Sequence, residues 1–159
     1  MKTSTPAQHI TKVGKLRRIS RILDNAITIP GTKLSFGLDP ILGLLPGGGD
    51  TITGGISAYI VVEAARMGIP REILGKMVAN IVLDSVAGTI PVLGDLFDVG
   101  WKSNVKNIEL LEKHLEIAES GKTDTLFILG LILLLAVIVL GFATITFFSV
   151  RFFWSLITQ

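Results

Sequence analysis

Three observations in this 159-residue chain predict an all-α fold tied to a membrane. Residues 125 to 150 carry no charged side chain. The phrase L-D-x3-G-x2-P-x2-G-D is written twice, at 38 to 50 and at 83 to 95. No stretch between residues 36 and 120 alternates apolar and polar residues as a half-buried strand would. Together these predict two pseudo-repeated broken-helix hairpins, a basic amphipathic N-terminal helix before them and a transmembrane helix after them.

Composition points the same way. Hydrophobic residues make up 49% of the chain and charged residues 18%, with a mean hydropathy of +0.62, a balance more apolar than soluble domains usually show. There is no cysteine, which excludes disulfides, zinc-thiolate sites, iron-sulfur clusters and thiol nucleophiles. The net charge of +2 conceals an asymmetry: residues 1 to 35 hold seven bases and one acid, whereas the remainder holds eight bases and twelve acids. Such a split directs the N-terminal arm toward a polyanion. Anionic lipid is the favoured partner, because nucleic-acid domains usually spread their bases over a fold.

Taken in order, residues 1 to 11 read as a polar, flexible tail and residues 12 to 120 as a helical core. The core opens with a helix whose apolar face is Leu16, Ile19, Ile22, Leu23, Ala26 and Ile27, while Lys15, Arg17, Arg18 and Arg21 are candidate contacts for anionic headgroups. Pro30-Gly31 ends it. A second helix is predicted from about Thr51 to Met67, stopping at Gly68, and a third starts with Pro70 in its first turn, where the missing N–H costs nothing. A long helix is then expected from Gly94 to about Ser120, with Trp101, Val105, Ile108, Leu111 and Leu115 as its apolar face and Asp98/Lys102 and Glu109/Lys113 spaced for intrahelical pairs. It is read as the bridge from core to anchor.

The anchor follows at 125 to 150, longer than the ~20 helical residues that cross a ~30 Å hydrocarbon core. Phe147, Phe148, Arg151, Phe152, Phe153 and Trp154 supply an aromatic interfacial belt, and residues 151 to 159 form an interfacial tail. Lys102, Lys106, Lys113 and Lys122 precede the span and Arg151 alone follows it, so the bulk of the chain is expected on the cytoplasmic side of the inner membrane, without a signal peptide.

The repeated phrase carries the candidate site. Its proline halts a helix, its glycine lets the backbone bend, and its aspartate suits the positive start of the next helix. Asp39, Asp50, Asp84 and Asp95 are therefore either structural caps or, by their symmetry, ligands of a cation or proton path. Asp84 departs from the pattern, since Ser85 replaces the proline that follows Asp39 and the helix there reads as continuous. Catalytic patterns are absent: no HExxH, no GxSxG and no zinc spacing occur, PGGGDTITGG lacks the Lys-Ser or Lys-Thr of a phosphate loop, and His9 and His114 stand in solvent-like contexts. No cofactor is implied.

With LDPILGLLPGGGD, EAARMGIP, IPVLGDLFD and WKSNVKNIELLE in order along residues 20 to 115, the chain resembles a bacterial family known as domain of unknown function 4112. That resemblance implies a small, membrane-associated helical protein and no particular chemistry. The expected function is a non-enzymatic, membrane-anchored module that binds lipid headgroups or a protein partner, with a homo-oligomer as one form of that partner. The alternative is a small oligomeric cation or proton channel built on the paired aspartates.

Overall fold

The computed structural model describes residues 6–25, 27–28, 35–36, 49–88, 102–115 and 124–157. Within them lie five helices: α1 Pro6–Asn25, α2 Gly49–Arg66, α3 Arg71–Gly88, α4 Ser103–Lys113 and α5 Thr125–Ile157. A two-residue antiparallel ladder, β1 Ile27–Thr28 with β2 Ser35–Phe36, follows α1 and pairs Ile27 with Phe36. The fold is all-α, as the patterning predicts.

The α2–α3 corner forms where the sequence places it. Gly68 adopts φ 84°, a left-handed conformation in which a β-carbon would be strained. Its N–H donates to Ala65 O at 3.0 Å and that of Ile69 to Ala64 O at 3.2 Å, the paired bonds that close a helix end. Pro70 then opens α3 through its carbonyl, which accepts from Ile73 and Leu74 at 3.0 and 3.1 Å. Ile69 is buried under the corner.

Helix α5 packs on α2 and α3, these pack on α4, and α1 lies against α4, with Lys12 of α1 reaching Glu63 of α2. The shared core includes Leu16 of α1, Ile60 and Val61 of α2, Met77 of α3, Leu111 of α4 and Leu135 of α5. Burying side chains of this size contributes about 1.5–3 kcal/mol each.

Several expectations shift. Residues 6 to 11, read as flexible tail, form the first turns of α1, and Pro6 suits a first turn that needs no N–H. His9 is half-buried there. The inward stripe of α1 is Val13, Leu16, Ser20, Leu23 and Asp24, whereas Ile22 is 47% exposed and Ile27 belongs to the ladder. Helix α4 is shorter than expected. It starts after Lys102, whose φ −117° and ψ 83° are not helical, and ends at Lys113, where the His114 N–H turns back to Leu111 O. It is a core element, and three of its five buried residues are polar: Ser103, Asn104 and Asn107 beside Ile108 and Leu111. The breaks at Pro46 and Pro91, most of both repeat phrases, and Asp98 and Trp101 lie outside the described residues.

Candidate membrane-contact surface and polar seam

Helix α5 begins under a cap. Asp124 Oδ1 accepts from the N–H groups of Leu126 and Phe127 at 3.0 and 3.3 Å, satisfying two of the free donors at the helix start. The Arg71 guanidinium reaches Asp124 Oδ2 at 3.4 Å and lies 4.3 Å from the centre of the Phe127 ring. The start of α5 is thus held at the level of the α2–α3 corner. Fourteen residues on, Val139 meets Gly54 of α2 so closely that a β-carbon on Gly54 would stand 3.0 Å from Val139 Cγ1. Helices α2 and α5 therefore run antiparallel in close contact, as small residues permit.

One stripe of α5, including Leu131, Leu135 and Val139, is buried by this packing. The rest is open and apolar from end to end: Leu126 is 78% exposed, Leu133 66%, Val137 62% and Trp154 69%. The segment Thr125–Phe152 is long and apolar enough to cross a membrane. A continuous apolar surface of this length marks a contact with a membrane or with another protein.

Where α2 and α3 meet α4 and α1, a polar seam runs beside the apolar core. Asp24, at the end of α1, accepts from Asn104 Nδ2 on Oδ1 at 2.8 Å and from the Val105 N–H on Oδ2 at 2.8 Å. Asn104 Oδ1 in turn accepts from Ser57 Oγ at 2.7 Å. One turn along α4, Asn107 Oδ1 accepts from Asn80 Nδ2 at 2.8 Å, and Asn107 Nδ2 donates to Met77 O at 3.2 Å. Asp24, Ser57, Asn104 and Asn107 are buried, so each unmade bond would cost about 1–3 kcal/mol. Lys102 offers no side-chain cap to α4; Asp24 supplies it from another helix. Burial raises the Asp24 carboxyl above its ordinary value, a shift that the Asn104 and Val105 donors reduce without cancelling.

The outer face of α1 is basic. Lys15, Arg17, Arg18 and Arg21 are all exposed. Arg17 pairs with Glu112 of α4, while Lys12, half-buried on the same helix, pairs with Glu63 of α2. Glu63 also takes a 2.5 Å bond from Arg66. Burial pushes the Glu63 carboxyl up, but these two cations outweigh it and hold it below its ordinary value.

The four repeat aspartates are not seen together. Asp39 and Asp95 lie outside the described residues. Asp50 stands inside the first turn of α2, which begins at Gly49. Asp84 is half-buried on the unbroken helix α3 and interacts with a neighbour. Among the described residues no three acidic or histidine side chains are grouped to hold a metal. Aspartate capping does operate here, at Asp24 and Asp124. Neither is among the aspartates singled out from the sequence, although for Asp124 a local signal exists, an aspartate just before a long apolar run. For Asp24 none does, because its partner is 81 residues away.

The sequence model of the family described as "Domain of unknown function (DUF4112)" matches residues 12–115, about two thirds of the chain. The chain belongs to this family. No curated protein and no solved structure matches. Every residue of the polar seam falls inside the DUF4112 region, whereas α5 falls beyond it.

Proposed function

We propose that this chain is a membrane-anchored, non-enzymatic helical module that holds a basic surface against anionic lipid headgroups. The observation that carries the reading is the exposed apolar surface of α5, whose unburied sides call for a hydrocarbon solvent. Exposed Lys15, Arg18 and Arg21 support the second half, since each base near an anionic surface contributes about 1 kcal/mol. The excess of bases just before the span, Lys102, Lys106, Lys113 and Lys122 against Arg151 after it, favours a cytoplasmic location for the bundle.

Reconstitution of the full chain in lipid nanodiscs tests this. The expected result is a higher melting temperature in anionic than in zwitterionic lipid at low salt, lost in the Lys15→Gln, Arg18→Gln, Arg21→Gln triple variant. Equal melting of the native chain in both lipids removes the headgroup reading, and release of the chain from native membranes by alkaline carbonate removes the anchor.

A further inference from the structure

Helix α5 is too long for its task if it serves only as a span. Its 33 residues extend about 50 Å at 1.5 Å per residue, against a hydrocarbon core of about 30 Å. Arg151 and Trp154, both exposed, mark the far interface, where charge and indole rings gather. Counting the ~20 residues of one crossing back from Arg151 places the near boundary at about Leu131. Gly54 touches Val139, which then lies about 12 Å below that boundary.

Because α2 runs antiparallel to α5, each residue of α2 acquires a depth. Glu63 and Arg66 fall at or above the boundary, beside Lys12, Arg71 and Asp124. The twelve uncharged residues Thr51 to Val62 fall below it, and Asp50, in the first turn of α2, stands at the deep end of that run. Tyr59, 47% exposed, falls within about one turn of the boundary, a level that suits an amphipathic ring. Helix α3 repeats the division: Arg71, Glu72 and Lys76 stand toward the corner, and the exposed apolar residues Leu83 and Val86 stand toward the deep end with Ile52 of α2. Asp84, the one charged side chain among the described α3 residues below Lys76, is half-buried and interacts with a neighbour. On α1, Arg17, Arg18 and Arg21 precede Asp24, which is tied to Ser57 through Asn104, so these bases come to headgroup level.

On the reading of α5 as a span, we infer that the deep halves of α2 and α3 are immersed in the bilayer beside it, with Ile52, Leu83 and Val86 in contact with acyl chains. The bundle is then a half-sunken wedge rather than a soluble head on a stalk. Its polar seam lies behind α2 and α3, sealed from lipid by them, and the basic face of α1 rides at the headgroups.

The absence of cysteine makes the test direct. Single variants Ile52→Cys, Leu83→Cys, Val86→Cys, Lys76→Cys and Val137→Cys take a nitroxide label in the full chain reconstituted into phosphatidylcholine vesicles containing anionic lipid. Collision with oxygen, which partitions into hydrocarbon, is compared with collision with a water-soluble nickel chelate, and native helicity of each labelled variant is checked by circular dichroism. Labels at 52, 83 and 86 are expected to match the label at 137, with an oxygen-to-nickel ratio severalfold above that at 76. If they match the label at 76 while 137 stays sheltered from nickel, the wedge is overturned and the anchor stands. If 137 is itself open to nickel, the span reading fails and the inference falls with it.

Discussion

The two faces of α2 are held by different physics. Toward α5 the contact is apolar and close, with Gly54 against Val139 and Leu131 and Leu135 buried in the shared core. Toward α4 and α1 the apolar contacts of Leu16 and Leu111 are joined by a chain of directed bonds from Ser57 through Asn104 to Asp24. An apolar contact between helices is worth much the same over several registers and is fixed by shape alone. A buried donor and acceptor meet in one register only, and every other leaves both unpaired. The seam therefore sets where α1, α2 and α4 stand relative to one another, while the glycine contact sets how closely α5 approaches.

The sharpest way to break that contrast is Asp24→Ala. It strips the Asn104 amide and the Val105 N–H of their acceptor and is expected to cost about 3 kcal/mol, read from chemical unfolding in detergent. Asp24→Asn, which keeps the size and one acceptor oxygen, should cost less; equal losses would mean that the paired carboxylate oxygens, and not the side-chain volume, matter at this point. Next in size is Gly54→Val. Extra carbon against Val139 should cost about 1–3 kcal/mol by overpacking, and a variant as stable as the native chain would show that α2 and α5 are not pressed together.

Acid titration sharpens the picture at the shallow end. Glu63 has its folded pKa held below the ordinary 4.5 by Lys12 and Arg66, so its contribution to stability is complete above that value and is lost as pH falls through the folded pKa. A Glu63→Gln variant should be less stable than the native chain at neutral pH, and the gap should close on acidification. The smallest effect is expected at the exposed Lys76–Glu72 pair, 2.8 Å apart across one turn of α3. Pairs of this kind gain little against solvent and side-chain entropy, so Lys76→Ala should leave the melting temperature within experimental error.

Much of the architecture was legible because it is written locally. Gly68 and Pro70 punctuate the α2–α3 corner within three residues, and the uncharged run of α5 needs no partner to be read. The helix boundaries that moved were those decided at a distance. Lys102 and His114 limit α4 by backbone conformations no neighbouring residue announces. Ser20 and Asp24 join the inward stripe of α1 although apolar periodicity excludes them. The candidate aspartates suffered likewise: a capping preference identifies a residue type and cannot say whether the helix it caps is its own.

The sequence by itself determined the helical class, the corner, the long apolar helix and the basic character of α1, since hydropathy, glycine, proline and charge act through a residue and its near neighbours. Tertiary structure alone decided that Asp24 caps α4, that Asn104 and Asn107 are core residues, and that α2 runs beside α5 as far as Val139. Those facts depend on which surfaces meet. A buried amide is costly until its partner arrives from another helix, and nothing in the local sequence names that partner.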